Sequence, residues 1–270
     1  MRFAVVGHVE WVEFAKVERV PEPGEIVQAS DWWAEAAGGG GVASVRLARL
    51  SGSSTLYTAL GQDALGDKAL AQLTGLGVRV EASRHAEPQR RGFTFVDGNG
   101  ERTITIMGEK HVPRGGDPLP WDELGETDGV YFVSGDAAAA RAARRARILV
   151  ATARVLPTLA EAGVELDALV RSASDPSERY EAGNLDPPPR LDVATAGDEG
   201  GTWVAGAGVS GTYEPVPVPG PVADSYGAGD SFAAGLTYAL ASGSDREEAL
   251  AFAARSASEA LARRGAHGLG

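Results

Sequence analysis

One stretch near the carboxyl end organises the chain: Asp224-Ser225-Tyr226-Gly227-Ala228-Gly229-Asp230. An Ala- and Leu-rich segment without proline follows directly, and its large residues Phe232, Leu236 and Leu240 recur at helical spacing. The stretch is therefore predicted to open a helix. Free amides at a helix N-terminus, with the positive end of the helix dipole behind them, bind anions, and the glycines leave an approaching phosphate unobstructed.

Asp230 stands in the first turn of this predicted helix, and two interpretations of it remain open. A carboxylate in a first turn is a common helix cap, and Gly-Ala-Gly alone can be no more than a tight strand-to-helix turn. A carboxylate is, however, a poor neighbour for a bound phosphate unless it takes part in the chemistry. The second interpretation therefore makes Asp230 a catalytic group.

The composition narrows the class of protein. The 270 residues suffice for one large α/β domain, and 43% hydrophobic with 23% charged residues is typical of a soluble globular protein. No apolar run approaches the ~20 residues of a membrane span, and the opening segment is too short to be a signal peptide. Cysteine is absent, which excludes disulfides and thiolate chemistry, and the net charge of −12 argues against nucleic-acid binding. These features favour a cytoplasmic protein that binds neither membranes nor nucleic acids.

Short apolar runs alternate with amphipathic segments along most of the chain. This alternation predicts a mainly parallel sheet with helices on both faces, and such sheets bind ligands beyond the C-terminal ends of their strands. Four motifs follow predicted strands: residues 38–41, 175–178, 195–201 and 224–230. The first is a glycine run that precedes a helix predicted from Val42 to Leu50. A Walker loop, Gly-x-x-x-x-Gly-Lys followed by Ser or Thr, is not present.

Two segments do not fit this alternation and instead resemble exposed strands. Residues 10–30 interleave apolar and charged residues around the turn Pro21-Glu22-Pro23-Gly24-Glu25, and residues 92–106 predict a hairpin through Asp97-Gly98-Asn99-Gly100. We expect the two segments to form one small sheet outside the main body. Each should present one apolar face, with Val12 and Phe14 on the first and Phe93, Phe95 and Ile104 on the second.

The stretch at 224–230 resembles the C-terminal signature of the ribokinase-like (PfkB-type) carbohydrate kinases, Asp-Thr-x-Gly-Ala-Gly-Asp. Only the threonine is changed, to Ser225, which keeps the hydroxyl. The turn at 21–25, Gly-x-Asp-x-x-Gly at 61–66 and Gly-Glu-Arg-Thr at 100–103 also resemble family motifs. The resemblance implies one domain over 1–270: a ribokinase-like three-layer α/β/α sandwich with a mainly parallel central sheet and a small β lid, at about 10–30 and 92–106.

The family's activity is ATP-dependent phosphorylation of a hydroxymethyl group on a sugar or sugar-like molecule. By resemblance, Asp230 would accept the proton of the attacking hydroxyl, and the amides of Gly227, Ala228 and Gly229 would hold the γ-phosphoryl group. Because a helix N-terminus stabilises a carboxylate, we expect a lowered pKa for Asp230.

The resemblance also implies the remaining site residues. The nucleotide would contact Thr195, Gly197, Gly200 and Ser225. The substrate would contact Glu10, Gly38, Gly39, Gly40, Arg102 and Asp224. Asp175 and Glu178, at the family's Asn-x-x-Glu position, would serve water-bound Mg²⁺, although Asp175 capping a helix with Glu178 at the third position is an equal alternative. A monovalent cation near Asp224 and Ser225 is a further option that only the resemblance suggests.

The predicted sugar site departs from the family pattern. The usual Asn falls at Val42, and the Asp expected after the first strand has only Glu10 nearby, two positions early. The substrate is therefore open, with a nucleoside kinase of the same fold or a catalytically weak sugar- or nucleotide-binding regulator as alternatives. An intact Asp230 favours an enzyme. A homodimer through the lid is also expected, because a small exposed sheet needs a partner for its apolar face.

Overall fold

The computed structural model describes residues 1–206 and 208–268. The strands are β1 (Phe3–Val6), β2 (Glu10–Lys16), β3 (Asp31–Ala37), β4 (Ser54–Gly61), β5 (Val78–His85), β6 (Arg91–Val96), β7 (Arg102–Met107), β8 (Gly129–Phe132), β9 (Ile148–Thr152), β10 (Ala168–Ser172), β11 (Leu191–Thr195), β12 (Gly201–Ala205) and β13 (Val209–Tyr213). The α-helices are α1 (Gly38–Ser51), α2 (Ala64–Gly75), α3 (Ala137–Ala143), α4 (Leu156–Ala162), α5 (Ala228–Ala241) and α6 (Arg246–Leu261).

A nine-stranded sheet forms the centre of the molecule, in the order β13-β12-β11-β10-β9-β8-β1-β4-β5. The strands from β11 to β5 are parallel, and β12 and β13 add to one edge in antiparallel pairing. Continuous apolar runs such as Phe3–Val6 are buried on both faces, as expected where helices cover both sides of a parallel sheet. The predicted mainly parallel sheet is confirmed.

Helices cover the two faces of this sheet in separate layers. One apolar cluster joins the sheet to α1, α2, α5 and α6, and a second joins its other face to α3 and α4. The predicted three-layer α/β/α sandwich is therefore present. No helix in the described part of the chain is both long enough and apolar enough to cross a bilayer.

A second sheet of four strands lies apart from the central sheet, in the order β3-β2-β6-β7. We call it the lid sheet. It joins the two segments as predicted, through the parallel pair β2 and β6. The bounds of the first segment, 10–30, were wrong: only β2 lies within them, residues 17–30 contain no strand, and the partner of β2 is β3 at Asp31–Ala37.

The predicted faces of the lid sheet also need a correction. Thr94 pairs with Ile104, so Ile104 lies on the opposite face from Phe93 and Phe95. Ile104 shares the inner face with Val12 and Phe14, because the register places residues of one row on the same side. The outer face keeps the two phenylalanines.

The glycine run forms the first turn of α1 and does not precede it. The predicted start at Val42 is therefore wrong by four residues. Consecutive glycines are poor helix formers, but close packing requires them here. A Cβ on Gly40 would lie 2.6 Å from the carbonyl oxygen of His8, and one on Gly7 would lie 2.9 Å from the Cα of Gly40. Only glycine lets the helix start this close to the end of β1.

Candidate active site

One cavity of about 280 Å³ lies at the C-terminal ends of the parallel strands, between the central sheet and the lid sheet. Residues that end or follow successive strands line it: His8 after β1, Tyr131 on β8, Arg154 after β9, Ser172 on β10 and Thr195 on β11. This is the position at which parallel sheets bind ligands. Of the predicted site residues, the cavity is lined by Glu10, Gly38, Gly39, Arg102, Glu178, Thr195, Gly227, Gly229 and Asp230.

The signature stretch forms the start of α5, as predicted. Gly227 is the N-cap residue and has a φ of 76°, a left-handed conformation that favours glycine. A Cβ on Gly227 would also lie 2.8 Å from Cγ1 of Val42. Gly229, in contrast, faces open space, and no atom lies within 4 Å of where its Cβ would stand. The first turn therefore presents its amides to the cavity without obstruction, while Ala228 begins the helix without lining the cavity.

Asp230 projects from this turn into the middle of the cavity. The hydroxyl of Tyr131 donates a hydrogen bond to its Oδ1 at 3.3 Å, and a Cβ on Gly39 would lie 3.0 Å from the same atom. Burial raises the pKa of Asp230, against the opposing effects of Arg154, the Tyr131 hydrogen bond and Arg102. The expected lowering of this pKa was wrong, because removal from water outweighs the helix terminus. A raised pKa makes the carboxylate a stronger base.

The strands β10 and β11 form one end of the cavity, with Ser172 and Thr195 at their tips. Thr195 donates its hydroxyl to the carbonyl of Arg171, whose guanidinium binds the Asp192 carboxylate through Nε and Nη2. The other two predicted nucleotide residues of this turn do not line the cavity. Gly197 and Gly200 both have positive φ, and Gly200 packs against the backbone at residues 213–215, so both glycines shape the turn.

Asp175 and Glu178 do not form a metal site by themselves. Asp175 accepts hydrogen bonds from the amide and hydroxyl of Ser177, so the capping interpretation holds for it, and it does not line the cavity. Glu178 is buried and lines the cavity. Its carboxylate accepts hydrogen bonds from Nε of Arg154 at 2.6 Å and from the amide of Ser172 at 2.7 Å.

Within residues 1–206 and 208–268, no group of three or more His, Asp or Glu residues could hold a metal. This donor set fits Mg²⁺ carried mainly by phosphate oxygens and water, with Glu178 as the nearby carboxylate.

The opposite end of the cavity, beside β1 and the lid sheet, is rich in charge. Glu10 is buried, and its Oε1 lies 2.9 Å from Nε of Arg90 and 3.8 Å from Nε2 of His8. Lys110, which follows β7, also lines this end. Burial, then Lys110, Arg90 and Arg154, lower the pKa of His8 well below its usual value, so this histidine is neutral at pH 7. Gly40 does not line the cavity, because it packs against His8.

The remaining predicted residues connect the signature stretch to the lid and to the chain's last residues. Asp224 is buried, and its two oxygens accept the amides of Tyr226 at 2.8 Å and Gly265 at 3.1 Å. The carbonyl of Ser225 accepts a hydrogen bond from Arg102 at 2.9 Å. Neither Asp224 nor Ser225 lines the cavity, whereas Arg102 reaches it from the lid sheet.

Eight charged or polar lining residues were not predicted from the sequence: His8, Arg90, Lys110, Tyr131, Thr152, Arg154, Arg171 and Ser172. His8 and Arg154 lie two residues after the ends of β1 and β9, and this position was a usable signal. Arg90 and Lys110 flank the hairpin of the lid, where nothing in the local sequence indicates a cavity.

The class of protein follows from comparison of the sequence with family models, which identify a kinase. The sequence model described as "pfkB family carbohydrate kinase" matches residues 2–178 and 164–268, and the chain belongs to this family. No curated protein matches the chain.

Solved structures with the same fold include a ribokinase from Thermotoga maritima (20% identity, 99% of this chain and 95% of that one, TM-score 0.77). An Arabidopsis thaliana ribokinase complexed with ribose and ATP is also similar (20% identity, 99% and 96% coverage, TM-score 0.73). An adenosine kinase from Sinorhizobium meliloti matches at 19% identity, with 100% and 96% coverage and a TM-score of 0.80. At these identities the likeness extends to the fold alone.

Proposed function

We propose that this chain transfers the γ-phosphoryl group of ATP to a hydroxymethyl group on a small sugar-like acceptor. The observation that carries the proposal is the position of Asp230, in the centre of the cavity and beside the unobstructed first turn of α5. A protein that only bound its ligands would gain nothing from a carboxylate where phosphate charge collects. Family membership and the ribokinase crystallised with ribose and ATP support the choice of donor.

The roles of the residues follow from their positions along the cavity. The nucleotide occupies the end at β10 and β11, so that its γ-phosphoryl group meets the amides of Gly227, Ala228 and Gly229. The acceptor lies under the lid sheet, against Gly38 and Gly39. Asp230, between the two, takes the proton of the attacking hydroxyl, and its raised pKa suits that task.

Catalysis in this arrangement is mainly positioning and electrostatic stabilisation, as is general for phosphoryl transfer. Arg154, which is close enough to Asp230 and Glu178 for their charges to raise its pKa, supplies a fixed positive charge beside the reacting group. Mg²⁺ bound with the nucleotide would neutralise phosphate charge, held through water by Glu178. The resemblance adds a monovalent cation beside Asp224 and Ser225 as part of the same proposal.

A homodimer through the lid sheet also belongs to the proposal. The outer face carries Phe93 and Phe95, whose rings pack edge to face at 5.0 Å, and Trp32, which is 76% exposed. Such an apolar face on a small sheet indicates a partner surface, here a second copy of the chain. Light scattering at micromolar concentration tests this expectation, and a monomer would contradict it.

The activity is tested by ADP release with a panel of sugars, nucleosides and vitamin precursors, for the wild-type protein and Asp230→Asn. The substitution should lower kcat by about 10²–10⁴-fold, the usual contribution of a general base. Binding of a non-hydrolysable ATP analogue and the melting temperature should stay near wild type. Asp122→Asn is the matched control, because that side chain is 96% exposed and distant from the cavity.

Two outcomes would contradict the proposal. Wild-type turnover by Asp230→Asn would remove Asp230 as the base. No acceptor-dependent ADP release by the wild-type protein, despite binding of the ATP analogue, would favour a regulator that binds nucleotide without transferring phosphate.

A further inference from the structure

Charged groups dominate the cavity wall at the β1 end. Its side chains that can form hydrogen bonds are His8, Glu10, Arg90, Lys110 and two tyrosines, with Arg102 above them on the lid sheet. Within the described residues, no asparagine, glutamine, serine or threonine lines this end, whereas Thr152, Ser172 and Thr195 line the rest of the cavity. Amides, hydroxyls and carboxylates can bind the hydroxyl groups of a neutral polyol, and this wall offers one carboxylate, two tyrosine hydroxyls and no side-chain amide.

Lys110 is the clearest unsatisfied charge in this wall. In the part of the chain that the structure describes, its ammonium group has neither an ion pair nor a hydrogen bond. Loss of hydration in the cavity and the nearby charge of Arg90 lower the pKa of Lys110, although Glu10 acts in the opposite direction. Two cations held this close together repel each other, and an anionic ligand would relieve that repulsion.

Arg90 can contribute to the same anion. Its contact with Glu10 joins Nε to Oε1 at 2.9 Å. A guanidinium has five N–H donors, so an ion pair through Nε leaves the donors on both Nη atoms for a second partner.

These cations lie away from the nucleotide end. Along the sheet, β1 is separated from β10 by β8 and β9, three strand spacings or roughly 14 Å. Arg90 and Lys110 lie near Glu10, which pairs with Ala37 across β2 and β3, beside the turn of glycines that contacts Asp230. Their charges are therefore placed to meet the acceptor, and the phosphates of the nucleotide have Arg171 and the α5 amides.

We propose that the acceptor is an anionic sugar-like molecule, whose carboxylate or phosphate group is bound by Lys110 and Arg90 while its hydroxymethyl group faces Asp230. This inference rests on the proposed function and adds the substrate class to it. Glu10, held by Arg90 and near His8, then contacts the acceptor's hydroxyl groups.

The test compares matched acceptors that differ in charge and keep a free hydroxymethyl group. The pairs are D-glucose with D-gluconate, for a carboxylate, and D-fructose with D-fructose 6-phosphate, for a phosphate. Dissociation constants are measured by calorimetry with a saturating non-hydrolysable ATP analogue, which occupies the nucleotide end. In at least one pair, the anionic member should bind about tenfold or more tightly than its neutral partner, the range of a charge-assisted hydrogen bond. The pair with the larger preference identifies the anionic group.

Substitutions then test whether Lys110 and Arg90 cause the preference for the anionic acceptor. Lys110→Gln should reduce it about tenfold, with Arg90→Gln acting in the same direction, and neither should weaken the ATP analogue. Lys68→Gln, on the exposed side of α2 and outside the cavity, is the matched control and should leave all constants unchanged. Because Lys110 has no ion pair or hydrogen bond in the part of the chain that the structure describes, its replacement should not affect folding, which a melting curve checks.

Three results would overturn the proposal: no preference for the anionic member in either pair, a preference that survives both substitutions, or a loss confined to the ATP analogue. ADP release separates this failure from failure of the proposed function. Phosphorylation of neutral acceptors only would refute the anionic class and leave the kinase in place. A preference for the anionic acceptors without any phosphate transfer would refute the kinase and support the anionic ligand class.

Discussion

Gly229 is a position where one methyl group should separate ligand binding from stability. It lies in the first turn of α5 and lines the cavity, and an added Cβ would meet no protein atom within 4 Å. In Gly229→Ala the methyl group would instead stand in front of the amides that are proposed to hold the γ-phosphoryl group. The substitution should leave the stability of the protein intact and weaken the contact with the ligand.

The two effects have opposite signs and can be estimated. Alanine is favoured over glycine in a helix by about 0.5–1 kcal/mol, so the melting temperature should rise by about 1–4 °C or stay unchanged. Loss of one close amide contact to a charged phosphoryl group should cost about 1.5–3 kcal/mol, or about 10- to 100-fold in kcat/KM.

Gly227→Ala gives the contrasting result two residues away. Its φ of 76° is unfavourable for alanine by about 1–2 kcal/mol, and the new Cβ would lie 2.8 Å from Val42. This variant should therefore melt at least about 2–4 °C lower. Thermal melts and ADP release on both variants are the assay. If Gly229→Ala lost stability as Gly227→Ala does, or kept wild-type kcat/KM, the phosphoryl group would not approach this turn.

Three further substitutions test other contacts of the site. Tyr131→Phe removes the hydrogen bond that lowers the pKa of Asp230, so the acidic limb of the pH profile of kcat should move to higher pH. If that limb does not move, Tyr131 does not act on the base. Burial raises the pKa of Glu35, so its ionisation destabilises the folded protein as the pH rises through the folded pKa. Glu35→Gln should therefore raise the melting temperature at about pH 8. The gain should become smaller as the pH falls towards about 5. A less stable variant at the higher pH would contradict this sign. Arg102→Gln removes the lid's hydrogen bond to Ser225 and should raise the acceptor KM about tenfold with little change in melting temperature, whereas an unchanged KM would make that contact incidental.

Local patterns in the sequence predicted much of the fold. The signature helix, the parallel sheet and the lid hairpin each follow from spacing, turn residues and apolar runs that neighbours in sequence determine. Strand β3 was missed because its sequence, Asp-Trp-Trp-Ala-Glu-Ala-Ala, lacks alternation and buries a carboxylate, Glu35. That carboxylate accepts hydrogen bonds from Trp33 and from the amide of Ala266, over 200 positions away, and local reasoning cannot anticipate such partners.

The candidate site was predictable where it depends on backbone conformation. Gly38, Gly39 and the start of α5 belong to turns whose residue types mark them. The cationic residues of the cavity were not predictable, because Arg90, Lys110 and Arg154 come from three separate connections that meet only in the folded protein. The pKa of Asp230 was predicted with the wrong sign for a similar reason, since its burial depends on residues distant in sequence, such as Tyr131 and Gly39.

The bonds between the last residues and the lid bear on how the protein matures during synthesis. Gly265 donates to Asp224, Ala266 to Glu35, and the His267 ring contacts the Ala36 carbonyl at 2.5 Å. A ribosome delivers β1, β2 and β3 first, but these closing contacts wait until residue 267 has left the exit tunnel. Until then, the lid sheet and the pocket beneath it lack these contacts in the nascent chain.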